Sequence, residues 1–438
     1  MVNTSHRKII RDSLWLYGRM GILLVLNLWT TRLLIKAMGV DGYGLWSLIL
    51  SIVLLWSFLG DIVGETIMRY VSVTLVRRHD DKEMHSLARV FVRLYLYADI
   101  VMVLLSITIG YFWLTTQAVI PPDDESMVRH AFFITVAMMM IKTLGVPFLS
   151  YLVANEKFRK YVVLSLAEGI GSFLTALVLT VIPETESVIF YAWMLTGVEI
   201  AILLTYIYTC HSEIPRPHSW RLDSNDRRLM RECIKYISWM AIGGSAVIIW
   251  TQGMNIAVNH IYGLEATAAC AIAMGLLVRM RGLCANVQRA IQPRIMKLYS
   301  AHHKSELTQL LRSYLAVSVG LITIVCIPLY IFTPQLLQLW LVDVPPLTVS
   351  LTRVVILSAW LVIFEVPLNA VIHAAGTIKK FEIAEGGVLL LIIPVFCLTA
   401  LGTGADIVTS FSTQLAILTV ALIIRVVIST KYLYRLQG

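Results

Sequence analysis

The stretch from Leu14 to Tyr70 is two long apolar runs closed around the polar turn Ala37 to Gly44. An α-helix rises about 1.5 Å per residue, so about twenty apolar residues cross the roughly 30 Å hydrocarbon core of a bilayer. Each run has that length, which makes the stretch a transmembrane hairpin rather than a soluble core. A second hairpin lies 224 residues further on, in Ile237 to Arg294, with Trp15 over Trp239 and the turn GVDG over GLEA. The echo continues in the charged segments RRHDDKEMHSL, from Arg77, and AHHKSELTQLL, from Ala301. It returns at an offset of 220 in VPFLSYLVANEKFRKY, from Val146, against VPLNAVIHAAGTIKKF, from Val366. Self-similarity over this distance indicates an internal duplication.

Hydrophobicity supports the membrane assignment along the whole chain: 58% of the residues are hydrophobic, 14% are charged, and the mean hydropathy is +0.77. Soluble domains carry far more charge. The apolar run behind the basic MVNTSHRKIIRDS is too long for a signal-peptide core and lacks a small-residue cleavage site, so it reads as an uncleaved first span. Twelve spans are expected, near 14–36, 44–66, 90–114, 130–153, 161–182, 188–209, 236–258, 265–286, 313–333, 349–373, 381–401 and 407–428. The fold class is therefore an all-α integral membrane protein. Six crossings per half give parallel repeats, with a lobe over 1–209, a polar linker over 210–235 holding EIPRPHSWRLDSNDRR, and a second lobe over 236–438.

Lys and Arg accumulate in cytoplasmic loops. Starting with the N-terminus inside places most of the 36 basic residues on that side, while the opposite loops, such as PPDDE and ETES, are short and acidic. Both termini are expected to face the cytoplasm. The net charge of +9 follows from topology and requires no nucleic-acid partner, although the basic face suits anionic lipid headgroups. The six cysteines are scattered without CxxC spacing, which suggests neither a disulfide framework nor a metal site. With no GxxxxGK[ST], HExxH or GxSxG, no cofactor, ATP-driven pump or recognisable hydrolase is indicated.

A charge at the centre of a span costs about 2.5–3.5 kcal/mol on insertion scales, so such residues face a bundle interior or a water-filled cavity. In the eighth span, Gly275, Arg279, Gly282, Asn286 and Arg289 share one helical face. In the second span, Ser57, Asp61, Glu65 and Arg69 share another, and Glu65 and Arg69 are spaced to pair at i, i+4. At the 224 offset, Asp61 and Glu65 fall on Ala285 and Arg289, so the halves differ in charge where they match in pattern. One half is suited to a proton or cation and the other to an anion. The remaining membrane-depth charges are Arg19 and Arg32, Asp99, Lys142, Glu168, Glu199, Glu365 and Arg425. Arg19, Arg279 and Lys142 are the candidate anion-binding cations. Arg289 and Arg32 extend that set toward the interfaces, where snorkelling to headgroups competes. Asp61, Glu65 and Glu365 are candidate ion-coupling residues, and Pro147 and Pro367, at matching places in the two halves, are candidate hinges.

NLWTTRLLIKAMGVDGYGLWSL in the first hairpin, IMRYVS ending the second span, IQPRIMKLYS ending the eighth and QLWLV at Gln338 to Val342 resemble the polysaccharide flippase family. That family belongs to the multidrug, oligosaccharidyl-lipid and polysaccharide exporter superfamily. The resemblance implies a V-shaped pair of six-helix lobes that alternates access to a central cavity in the bacterial inner membrane. It implies an undecaprenyl-diphosphate-linked oligosaccharide as substrate, assembled on the cytoplasmic leaflet, with polysaccharide polymerase and assembly proteins as partners. A diphosphate crossing low-dielectric space needs inward cations, and Arg holds phosphate oxygens in a bidentate fork. With no ATP site, the driving force would be an H+ or Na+ gradient or removal of product. The alternatives are a cation-coupled multidrug antiporter of the same fold and, from another class, a membrane polysaccharide polymerase or ligase. The first wants an acidic, aromatic cavity; the second usually displays a large outer loop, which is missing here.

Overall fold

The structure is a computed structural model that describes the chain apart from Met1 and residues 77–80, 156, 184–185, 211–222, 301–303, 365–367, 369–377 and 436–438. For some further helical residues, including Arg69 and 283–290, it describes the backbone alone. The helices are α1 (Val2–Leu54), α2 (Phe58–Val76), α3 (Asp81–Leu105), α4 (Tyr111–Thr116), α5 (Glu125–Ala154), α6 (Phe158–Leu179) and α7 (Ser187–Cys210). They continue with α8 (Ser224–Ser300), α9 (Lys304–Ile331), α10 (Thr333–Trp340), α11 (Thr348–Ile363), α12 (Ile378–Leu389), α13 (Ile392–Cys397) and α14 (Ile407–Arg435). A π-helical turn, Ser106–Gly110, joins α3 to α4, and another, Leu398–Gly402, follows α13. No strand occurs among the described residues.

The two longest helices are each two crossings folded at a glycine. Gly39 in α1 has φ 69° and ψ 179°, and Gly263 in α8 has φ 84° and ψ −170°. Only glycine occupies that region without strain. The two glycines stand at the 224 offset of the repeat, so the duplication seen as a hydrophobic pattern is also a duplication of backbone geometry. Among the described residues nine helices are long and apolar enough to cross a bilayer. Two of them contain these folds, and the shorter apolar helix Thr348–Ile363 brings the crossings to twelve. The protein is a multi-pass membrane protein. Gly39→Ala and Gly263→Ala are each expected to cost about 1–3 kcal/mol. A Cβ at Gly263 meets no neighbour within 4 Å, so its cost is backbone strain alone. Thermal melting of the purified variants in detergent measures it, and a wild-type melting temperature would contradict the assignment.

Two expected spans are interrupted. The second, expected as one run over 44–66, breaks at 55–57, where the backbone tightens to i−3 bonds from Trp56 N to Val53 O at 3.4 Å and from Ser57 N to Leu54 O at 2.9 Å. No proline or glycine lies in that turn, and its repeat counterpart, Arg279 to Arg281, is continuous helix. The eleventh breaks between α12 and α13. Here the cause is local: Pro394 has no N–H to offer the Leu390 carbonyl four residues earlier. In α5, by contrast, the helix continues past Pro147 to Ala154.

The chain divides into two compact units, Met1–Ala241 and Ile242–Gly438. The segment expected as a linker over 210–235 is helical from Ser224, and this first part of α8 belongs to unit 1. Cys233 is fully buried against Val63, Ile67 and Val71 of α2 and Leu87 and Phe91 of α3. In unit 2, the two arms of α8 meet through Ala246, Ala257, Ala266, Ala269 and Ala273. Lipid is as apolar as leucine, so helices in a bilayer associate by close packing, and small residues permit the approach.

An ionic clamp holds the start of α8 in unit 1. Asp226, fully buried, accepts hydrogen bonds from Arg89 Nε at 2.7 Å and Nη2 at 3.1 Å, from the Ser86 hydroxyl, and from the Asp223 N–H at 3.1 Å. Burial pushes the Asp226 carboxyl up, but the Arg89 guanidinium, the Ser86 hydroxyl and the Asp223 amide outweigh it and hold the pKa below the ordinary value. A depressed pKa in the folded state adds stability that is fully present above the unfolded value, about 4, and lost as pH falls through the folded one. Asp226→Asn should therefore lower stability at neutral pH by about 2–3 kcal/mol, the scale of a hydrogen-bonded charge. The gap to wild type should close as pH falls below about 4. A melting-temperature series against pH checks it; a gap that widens in acid would contradict it.

Candidate functional site

Unit 1 carries a polar interior built from six helices, α1, α2, α3, α5, α6 and α7. Because α5, α6 and α7 pack on one another, Lys142 of α5 reaches a carboxylate on each neighbour. Its Nζ donates to Glu168 Oε1 and, at 2.9 Å, to Glu199 Oε1. Glu199 is the deepest member, with its side chain 8% exposed. One ammonium between two carboxylates leaves the triad with a net negative charge. The sequence placed Lys142 among the substrate-binding cations; the structure instead satisfies its charge within unit 1, because α6 and α7 turn their glutamates toward it.

Arg19 enters the same interior from α1. Its Nε donates to the Ser165 hydroxyl of α6, and its guanidinium lies 4.6 Å from the centroid of the Tyr161 ring, a cation–π contact. Tyr206 of α7 is within electrostatic reach of Arg19, Glu168 and Glu199. Its buried hydroxyl has no hydrogen-bond partner among the described residues.

Asp61 and Glu65, one turn apart on α2, are both exposed from protein cover, and Asp61 interacts electrostatically with Lys142. The Tyr95 hydroxyl of α3 donates to the Gly60 carbonyl at 3.0 Å, beside Asp61. One turn beyond Tyr95, Asp99 is 2% exposed. Arg32 is half-buried, with its guanidinium 5.8 Å from the Trp29 ring centroid on its own helix. The structure thus brings Arg19, Asp61 and Lys142 into one charged interior.

Unit 2 is different in sign. Arg279 is half-buried on α8, and its Nη1 lies 2.9 Å from where a Cβ on Gly275 would stand, so the missing side chain at 275 leaves the guanidinium its place. Arg281, two residues on, turns to the other side of α8. Its guanidinium lies 5.6 Å from the ring centroid of the buried Trp250, whose indole N–H donates to Gln414 Oε1 at 2.9 Å. Arg353 of α11 stands over Tyr330 of α9, 5.5 Å from its centroid. Arg425 of α14 pairs with Glu385 of α12, both nearly sealed from solvent, with side chains 5% and 7% exposed. Sequence reasoning missed Arg281 and Arg353, which lie off the polar stripes, and Glu385, which falls near the start of its expected span. Arg425 had been noted; the one signal for its partner was the carboxylate on the adjoining span.

Arg289 lies on the helical backbone of α8, but its side chain is outside the described residues, as are Glu365, Pro367 and the side chain of Arg69, and with it the Glu65–Arg69 pair. Among the described residues no group of three or more His, Cys, Asp or Glu is placed to hold a metal ion.

No protein-family model matches the chain, and no curated protein sequence matches it. Solved structures do. An inward-facing multidrug resistance transporter of the MATE family, in the MOP superfamily, superposes with a TM-score of 0.74 at 12% identity over 95% of each chain. An outward-facing MATE transporter gives 0.64 at 14% identity over 98% of this chain and 96% of the other. A MOP-superfamily transporter from Pyrococcus furiosus, described as having a binding pocket of reversed polarity that suggests a different function, gives 0.67 at 12% identity with the same coverage. The chain has the fold of these transporters, two helical lobes.

Proposed function

We propose that the chain is a flippase that carries an undecaprenyl-diphosphate-linked oligosaccharide from the cytoplasmic to the outer leaflet of the bacterial inner membrane, by alternating access and at the expense of an H+ or Na+ gradient. Both termini then face the cytoplasm, and polysaccharide polymerase and assembly proteins use the product. The observation that carries this reading is the partition of charge. Unit 1 places Glu168 and Glu199 on Lys142, with Asp61 in electrostatic reach of the same ammonium and Asp99 buried on α3. The arm of α8 beyond its Gly263 fold bears Arg279 and Arg281 at membrane depth. A cation entering unit 1 and a diphosphate held by the Arg279 guanidinium of unit 2 each meet the charge they require, and an Arg fork matches phosphate oxygens in pairs.

Translocation of an undecaprenyl-diphosphate-linked glycan across proteoliposomes tests it. A charge-assisted phosphate contact contributes about 1.5–3 kcal/mol, so Arg279→Ala should slow translocation roughly 10- to 100-fold with insertion intact. Unchanged translocation would remove Arg279 from the binding site. A multidrug antiporter is the second reading. It is favoured by the excess of carboxylates in unit 1 and by the fold shared with multidrug transporters; efflux of a cationic dye without glycan translocation would select it.

A further inference from the structure

We propose that Asp99 is a proton-carrying residue of unit 1, taking up H+ on the carboxylate oxygen Oδ2 as the protein is loaded. The inference deepens the reading of unit 1 as the ion-handling half and rests on it. Asp99 lies in the middle of the span His85–Thr116, 2% exposed, packed where α3 meets α2 and α5. Its Oδ2 is buried without a hydrogen-bond partner among the described residues, and no basic side chain there forms an ion pair with it. An ionised carboxylate in that position has no compensation.

The surroundings allow a proton to supply it. The Thr143 hydroxyl of α5 lies beside the carboxyl of Asp99. That hydroxyl has one proton, and it sits 2.9 Å from the Met139 carbonyl and 3.0 Å from the Met140 carbonyl, in position to donate along its own helix. The titratable group that interacts with Asp99 is Tyr95, from α3 itself; Tyr95 also interacts with Asp61 of α2, and Asp61 with Lys142 of α5. Tyr95 feels both aspartates, and its hydroxyl is already given to Gly60. Lys142 is held by Glu168 and Glu199. None of them neutralises Asp99. A sodium ion would want several converging oxygens, whereas Asp99 offers one unpartnered oxygen. Asp61 on α2, exposed from protein cover, is the second carboxylate that Tyr95 interacts with.

Dicyclohexylcarbodiimide tests this on the full-length protein in lipid nanodiscs. It adds to a protonated carboxyl group in an apolar site: the acid proton moves to a carbodiimide nitrogen, the oxygen bonds to the central carbon, and rearrangement leaves a stable N-acylurea. Mass spectrometry of the peptide carrying Asp99 should find the adduct at neutral pH, declining as the pH is raised, absent in Asp99→Asn and retained in Asp61→Asn. No adduct at Asp99 in protein whose melting temperature shows it folded would overturn the proposal. Suppression of the adduct by Na+ at constant pH would overturn the proton assignment in favour of a sodium site. In proteoliposomes Asp99→Asn should also lose the pH dependence of translocation. The adduct is read without transport, so a protein that moves no glycan at all defeats the flippase reading and leaves the labelling result standing.

Discussion

Arg425→Leu is expected to destabilise the protein by about 3–5 kcal/mol, whereas Arg425→Leu combined with Glu385→Leu recovers most of that loss. Both side chains are almost completely covered, and each is the ion-pair partner of the other. Bringing the pair out of water already costs desolvation, so the pair adds little net stability compared with two apolar side chains. Removing one member is another matter, because the survivor keeps its desolvation cost and loses its counter-charge. Glu385 already has one oxygen, Oε2, without a hydrogen-bond partner among the described residues, so it has no second bond to fall back on. Melting in detergent of the two single variants and the double variant forms a cycle that isolates the coupling. Singles as stable as wild type would show that water reaches the pair.

The second large effect is an asymmetry around Lys142. Lys142→Met should cost about 1–3 kcal/mol, or require uptake of protons by the glutamates, because it leaves Glu168 and Glu199 confronting each other without that cation, while the 42% exposure of the Lys142 side chain screens part of the loss. Glu199→Gln or Glu168→Gln alone should be mild, about 1 kcal/mol or less, since each leaves one ammonium against one carboxylate. The double Glu168→Gln/Glu199→Gln should be severe again, because it leaves the ammonium unpaired at membrane depth. Expression level and melting temperature order the four variants. A Lys142→Met protein as stable as Glu199→Gln would mean that the triad is hydrated, and the net negative charge of the unit 1 interior would lose its structural consequence.

These charges also mark the limit of what a linear reading can reach. The stripe of Arg279 is visible because four-and-three spacing is a property of one helix. Arg281 breaks that spacing, and its role depends on Trp250 arriving from the other arm of α8 with Gln414 behind it. Lys142 was legible as a candidate anion-binding cation but its partners were not, because they lie 26 and 57 residues away on other helices. Asp99 stood as a single buried acid; only the positions of Tyr95, Gly60 and Thr143 give it surroundings. The interruption at 55–57 had no local sign, since Leu55, Trp56 and Ser57 contain no helix breaker, while the one at 390–391 was announced by Pro394.

The number of crossings, the all-helical class, the duplication and the place of the two sharp folds at Gly39 and Gly263 follow from local sequence. Those properties depend on apolar length, on periodicity and on the single residue type that tolerates positive φ, all of which act within a few residues. Tertiary structure decided which charges meet: Lys142 with Glu168 and Glu199, Arg19 with Ser165 and Tyr161, Arg89 with Asp226, Arg425 with Glu385. A helix in a bilayer satisfies its own backbone, so its rotation about its axis is left to packing against its neighbours, and that rotation selects the partner of every buried side chain.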